Sequence, residues 1–165
     1  MVEEPLICMV EIPMGSRNKY EYDPQLKAIK LDRFVSASVV YPTDYGFIPE
    51  TLALDGDELD VLVCVSEPTF PGCLIQIRPI GLFCMRDENG TDDKIVCVPV
   101  NDPRWNVHEE LEDLPQQVRD EIFHFFSVYK DLDLERHSEP IGWSGREAAL
   151  EEIAAAQKRF RAGAA

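Results

Sequence analysis

Four carboxylates crowd into the six residues Asp55-Gly56-Asp57-Glu58-Leu59-Asp60, immediately ahead of the apolar run Val61 to Val65. Carboxylates at the mouth of a buried strand repel one another and lose hydration, and a hard divalent cation relieves both costs. Mg²⁺ is the natural candidate. The spacing is not that of an EF-hand loop, because Leu59 stands where the third oxygen ligand belongs and Asp60 where that loop has glycine. The same six residues also read as a solvated acidic turn, and the apolar continuation tips the balance only modestly.

A second acidic group follows at Asp87-Glu88-Asn89-Gly90-Thr91-Asp92-Asp93-Lys94. Asn-Gly is the strongest short hairpin signal, and a turn centred on it predicts Glu88 opposite Thr91 and Asp87 opposite Asp92. Like charges directly opposite each other destabilise a hairpin, so this pair invites a bridging cation; a hydrated loop tip is the other reading. A third set runs from Glu11-Ile12-Pro13 through Asn18-Lys19-Tyr20-Glu21-Tyr22 to Asp32-Arg33-Phe34. In a strand, Lys19 and Glu21 share one face and Tyr20 and Tyr22 the other. Arg33 is either a strand-end residue in water or a buried guanidinium with an anionic partner. Tyr41-Pro42-Thr43-Asp44-Tyr45 and Tyr129-Lys130 read first as packing and as a lysine favourably placed at a helix C-terminus.

The elements that must position these groups change character along the chain. From Ile7 to about Val100 the sequence is a series of short strands rich in Val, Ile, Leu and Tyr and broken by Gly, Pro and Asp, which suggests a small barrel. Asn101 to Leu114 is a long polar connection. From about Pro115 the period becomes helical, with Val118, Ile122, Phe125, Phe126 and Tyr129 on one face and His124 within the pattern as a packed histidine. Ser144 and Glu147 form a capping-box pattern for a second helix that ends before Gly163 and buries Ala149, Ile153, Ala156 and Phe160. The expectation is one α+β domain spanning 1–165, a β core followed by two helices.

With 165 residues, 45% of them hydrophobic, the chain can bury a core by itself. Its 31 acidic residues against 16 Lys+Arg give a formal charge of −15. That balance argues against nucleic acid and against anionic membranes, both of which are held mainly through Lys and Arg. No apolar run approaches the roughly 18 to 20 residues of a spanning helix. Met1-Val2-Glu3-Glu4-Pro5 lacks the basic start of a secretory signal, so a cytoplasmic location is expected. Cys8, Cys64, Cys73, Cys84 and Cys97 are odd in number and widely spaced, and read as reduced, buried thiols; His108, His124 and His137 form no metal-binding pattern.

Taken in order, these segments resemble the family I inorganic pyrophosphatases, Mg²⁺-dependent enzymes that split pyrophosphate into two phosphates. Asp55 to Val61 fits that family's signature D-x-D-[PE]-x-D-x, and the resemblance extends from Glu11-Ile12-Pro13 to Gly142-Trp143. The run Gly15 to Glu21, with Asp102-Pro103-Arg104-Trp105, is most similar to the actinobacterial branch. The resemblance implies that Asp55, Asp60 and Asp92 hold the tightly bound metals and that Asp87 and Asp92 hold the metal arriving with substrate. Glu11 and Glu21 become outer ligands acting partly through water. It assigns Lys19, Arg33, Tyr45, Lys94, Tyr129 and Lys130 to the two phosphates, with Tyr41 in support. Asp57 becomes the proton acceptor for the attacking water, with Asp92 as the alternative. Glu58 stands where the family often has Pro, and seven residues separate Glu11 from Lys19, one fewer than in some bacterial members. The implied fold is a five-stranded OB-like barrel flanked by two main helices, and the implied assembly is a homohexamer.

The competing readings are a non-catalytic acidic OB-like barrel that holds divalent cations or a protein partner, and a nucleotide pyrophosphohydrolase. The first is opposed by retention of every polar position in the set, and the second needs a base pocket that the sequence does not advertise.

Overall fold

The computed structural model describes residues 1–164. In chain order its elements are β1 (Ile7–Ile12), β2 (Asn18–Asp23), β3 (Ala28–Phe34), β4 (Asp44–Ile48), β5 (Leu59–Val63), β6 (Leu74–Asp87), β7 (Gly90–Thr91), β8 (Lys94–Pro99), α1 (Gln116–Val128), β9 (Ser138–Gly145) and α2 (Arg146–Gly163). The domain is mixed α+β. Pairing runs β1-β4-β5-β8-β6, and β6 returns to β1, so five strands close a ring; only the β5–β8 contact is parallel. The 14-residue β6 reaches beyond the ring, where β7 and β9 pair with it. β2 and β3 form a separate two-stranded sheet.

The unbroken apolar run that begins at Val61 has a simple cause. Leu59, Val61 and Val63 of β5 pack into the cluster shared with α2, while the alternate Leu62 joins the cluster beneath α1. A strand covered on both faces has no solvent side to mark with polar residues. α1 lays Ile122, Phe125 and Phe126 on the first cluster, and α2 lays Ala149, Ile153 and Ala156 on the second.

Two strand irregularities aim candidate site residues. Between Val10 and Ile12 the β1–β4 register slips, so Glu11 is an extra residue, and between Lys19 and Tyr20 the slip leaves Asp32 extra on β3. A bulge bends a strand and redirects its side chain. The β1–β4 approach is close: a Cβ on Gly46 would lie 1.9 Å from the Met9 carbonyl oxygen, so only glycine fits there. Next to it Asp44, fully buried, accepts hydrogen bonds from the Met14 N–H (2.8 Å) and from the Thr69 N–H (3.3 Å) and hydroxyl (2.6 Å). That carboxylate anchors the loop leading from Glu11 to Lys19.

Several local expectations are corrected. Ser144 is not a helix cap: it lies in β9 opposite Leu82, its Oγ 3.8 Å from the Cys84 Sγ, and Gly145 takes the N-cap position. Ladder pairing holds the Ser144 backbone before the helix can use its hydroxyl. Phe160 is 37% exposed, displaced from the buried stripe by Gln157, which exchanges hydrogen bonds with the Glu3 backbone. His124 is exposed on α1. The Asn-Gly turn is shifted by one residue, with Asp87 opposite Gly90 and Arg86 opposite Thr91. The cause is an Asx turn, in which the Asp87 carboxylate accepts the Asn89 N–H at 2.8 Å. Asp92 therefore faces no Asp87 across a ladder. The polar connection also hides structure, since Leu111 and Leu114 are buried and Arg78 donates to the Asn106 and His108 carbonyls. The five cysteines are free, with Cys73 and Cys84 only half-buried.

Candidate active site

Three places far apart in sequence meet at one open cavity of about 770 Å³. Its floor is β4, β5 and β8, which bring Tyr45, Asp60 and Lys94 together. Lys94 is 1% exposed, and its ammonium lies 2.9 Å from Asp60 Oδ2, 3.0 Å from Asp92 Oδ1 and 3.0 Å from the Tyr45 hydroxyl. It also sits 5.2 Å and 5.4 Å from the Tyr45 and Phe126 ring centres, within cation–π range. Burial works against its charge, but Asp60 and Asp92 outweigh that and hold the lysine protonated well above the usual range. Tyr45 donates to Asp60 Oδ2 at 2.6 Å, and burial, reinforced by Asp60, keeps its phenol neutral.

One wall comes from β1, β2 and β3. Glu11 Oε2 accepts the Tyr22 N–H at 2.8 Å, so the bulged carboxylate docks β2 onto β1. Lys19 bridges Glu21 (2.7 Å) and the bulged Asp32 (3.2 Å), and Arg33 Nε stands 3.6 Å from Asp32. Lys19 and Glu21 share a face as expected, and Arg33 is the half-buried guanidinium with an anionic neighbour. The opposite wall is the end of α1 with the β6–β7 hairpin. Lys130, 5% exposed, lies 3.2 Å and 3.3 Å from the two Glu88 oxygens and 3.6 Å from Asp87 Oδ2. Tyr129 stacks on Phe125, and burial raises its phenol well beyond the usual tyrosine range. Asp55 and Asp57 stand at the rim, with the Asp55 carboxylate accepting the Asp57 N–H at 3.1 Å.

Every residue to which the resemblance assigned a metal, phosphate or proton-transfer role lines this one cavity, with Tyr41 buried behind Tyr45 in an edge-on contact of 5.5 Å. The sequence reading missed Asp32, Glu88, Glu135 and Arg136, which line it too. The one-residue turn shift that places Glu88 beside Lys130 had no sequence signal; Asp32 was betrayed only by adjacency to Arg33.

Among the described residues eleven carboxylates and five basic side chains surround the cavity, and no histidine or cysteine does. All-oxygen donors with such an excess of negative charge fit a hard divalent cation rather than a soft one. Among the described residues no three potential ligands are already gathered into a closed shell; the Lys94 ammonium stands between Asp60 and Asp92 instead. Proton affinities show the strain of the excess. Burial, with Asp60 and Glu21 nearby, pushes Glu11 up to about 7. Burial also raises Asp92 against the opposing pull of Lys94, and burial followed by Asp55 and Asp60 raises Asp57.

An acid whose affinity for its proton is raised by folding stabilises the fold while protonated and loses that contribution as it ionises. Glu11 moves from 4.5 to about 7, so the metal-free protein should lose stability as the pH climbs through that interval. Added Mg²⁺ should recover more stability at pH 8 than at pH 5. Thermal unfolding in chelator and in Mg²⁺ at both pH values checks this, and a flat response would disprove the linkage.

The fold and the cleft define an α+β domain with an acid-lined, lysine-floored pocket. Comparison with known proteins makes this specific. The family model described as inorganic pyrophosphatase matches residues 8–161, and the chain belongs to that family of inorganic diphosphatase enzymes. The inorganic pyrophosphatase of Methanosarcina acetivorans is 53% identical over 92% of this chain and 90% of its own length. That of Streptomyces coelicolor is 52% identical over 92% and 93%. The crystal structure of the Thermus thermophilus inorganic pyrophosphatase is similar with a TM-score of 0.93 and 44% identity, covering 98% of this chain and 96% of that one. An archaeal relative is as similar as the actinobacterial one, so overall identity does not single out a branch.

Proposed function

We propose that this protein hydrolyses inorganic pyrophosphate to two orthophosphates with the help of Mg²⁺. The observation that carries the reading is the convergence on one cavity of a carboxylate set rich enough for divalent cations with Lys19, Arg33, Lys94 and Lys130, which suit phosphate oxygens. Phosphoryl transfer asks for positioning and charge neutralisation more than for covalent chemistry. Asp55, Asp60, Asp87 and Asp92 would hold Mg²⁺, with Glu11 and Glu21 as outer ligands; Glu11 is already committed to the Tyr22 N–H, which suits contact through water. Bound there, Mg²⁺ supplies charge neutralisation and lowers the pKa of a coordinated water from about 15.7 toward neutrality.

The remaining work falls to the chain's own side chains. Lys19 and Arg33 from one wall and Tyr129 and Lys130 from the other fix the two phosphates, with Tyr45 and Lys94 beneath. Water attacks one phosphorus in line with the bridging oxygen, its proton passes to Asp57, and the bridging P–O bond breaks to release the second phosphate. Asp57 suits this role because its raised proton affinity brings a rim carboxylate closer to neutrality and no lysine occupies it. Asp92, the alternative acceptor, already has one oxygen on Lys94.

The proposal extends to an OB-like reading of the five-stranded ring, a cytoplasmic setting and a homohexamer, for which exposed Phe34, Phe70 and Leu74 offer apolar surface. No helix among the described residues is long and apolar enough to cross a membrane. Purified protein should release phosphate from pyrophosphate rapidly in Mg²⁺ and lose nearly all of that release in chelator. It should act far more slowly on nucleoside triphosphates. Folded protein that releases nothing from pyrophosphate in Mg²⁺ refutes the assignment.

A further inference from the structure

Before any phosphate arrives, Lys130 already has a two-oxygen acid partner. Both Glu88 oxygens lie within 3.3 Å of its ammonium, the arrangement two oxygens of a phosphate group would offer. The same Glu88 accepts the His137 N–H at 3.4 Å, from the segment that leaves α1. One side chain thus ties the tip of the β6–β7 hairpin to the end of α1 and to the rim beyond it. The contact is loose: at 3.2–3.3 Å it is longer than the 2.7 Å pair of Lys19 with Glu21, and the Glu88 side chain keeps 27% of its surface in water. A long, partly solvated ion pair contributes little net free energy and exchanges readily.

We propose that Glu88 is a positioning residue that stands in for substrate. It holds the Lys130 ammonium in place while the site is empty of phosphate, then yields it to a phosphate oxygen and swings into water, releasing the hairpin from the rim. Asp87 sits 3.6 Å from the same ammonium, so it stays beside Lys130 when Glu88 leaves. The inference rests on Lys130 being a phosphate-gripping residue. Glu88 is the one cavity carboxylate paired with that lysine that the family resemblance assigned no role.

The test is inorganic phosphate titrated by calorimetry into wild type, Glu88→Gln and Glu135→Gln, all with Mg²⁺ present. Glu135 lines the same cavity and forms no ion pair among the described residues, so it controls for general field effects. Removing a competing anion should tighten phosphate binding by Glu88→Gln roughly three- to fivefold, the scale of a partly screened ion pair. The gain should shrink at high salt, and Glu135→Gln should bind like wild type. Weaker or unchanged binding by Glu88→Gln, as a purely structural clamp predicts, overturns the proposal. So does an equal gain in Glu135→Gln. Pyrophosphate hydrolysis by the same wild-type sample judges the functional reading separately, since phosphate binding is read without turnover.

Discussion

Asp57→Asn should lower kcat for pyrophosphate by about 10²- to 10⁴-fold, the usual contribution of a positioned general base, and leave the fold intact. The side chain is exposed at the rim and accepts no hydrogen bond that holds the backbone; the local turn is made by the Asp55 carboxylate and the Asp57 N–H, which the variant keeps. An amide retains the shape and can still orient water, but it cannot take the proton. The loss should therefore fall on kcat with little change in KM, the pattern of an interaction needed only in the transition state. A pH profile separates the base from a mere electrostatic bystander. Wild-type kcat should fall on the acid side as Asp57 protonates, at a pH raised toward neutrality by burial and by Asp55 and Asp60. The residual rate of the variant should lack that limb. Asp92→Asn is the contrasting case: its carboxylate bonds Lys94, so KM and stability should move along with kcat. Near-wild-type turnover by Asp57→Asn would transfer the role to Asp92.

Chemistry was more legible in the sequence than geometry. The Asp55 to Asp60 cluster drew notice because four charges of one sign abut a buried strand, but on its own it also read as a solvated acidic turn, and only the resemblance gave its residues roles. The strands were legible as a group, and so was the buried face of α1, where Ile122, Phe125 and Phe126 recur at helical spacing. Failures came where a second contact, tertiary in one case and local in the other, outbid the signal that was read. Ser144 and Glu147 satisfy the helix-cap pattern, yet the pairing of β9 with β6 claims the Ser144 backbone. Asn89-Gly90 satisfies the hairpin pattern, yet one Asp87 hydrogen bond shifts the turn by a residue and so carries Glu88 to Lys130. The bulges at Glu11 and Asp32 leave no trace in a period-two pattern as short as β1 or β3. They nonetheless decide which side chains reach the cavity.

The same excess of negative charge predicts the second large effect. Among the described residues Lys94 is the one ammonium that reaches Asp60, Asp92 and Tyr45 together, and it does so from a position shut off from water. Replacing it with methionine keeps much of the side chain's bulk against Tyr45 and Phe126 while deleting the charge. Two carboxylates that shared a counter-charge are then left facing each other, and in chelator at pH 7 the protein should lose about 3 kcal/mol of stability, the scale for breaking a buried pair. The sign with pH follows from those carboxylates. Burial raises the proton affinity of Asp92 to about 6, so acidification neutralises that carboxylate and relieves the repulsion, and the deficit of Lys94→Met relative to wild type should be largest near neutrality and shrink toward pH 4. Mg²⁺ should also close part of the gap, because Asp60 and Asp92 are among the residues that would hold it and its charge would offset the lost ammonium. Turnover should not recover with it if Lys94 contacts phosphate as proposed. Denaturant unfolding of both proteins in chelator and in Mg²⁺, at pH 4 and pH 7, reads all of these terms. If Lys94→Met matched wild-type stability in chelator at pH 7, the lysine would not be the counter-ion that keeps this acidic floor folded before metal binds.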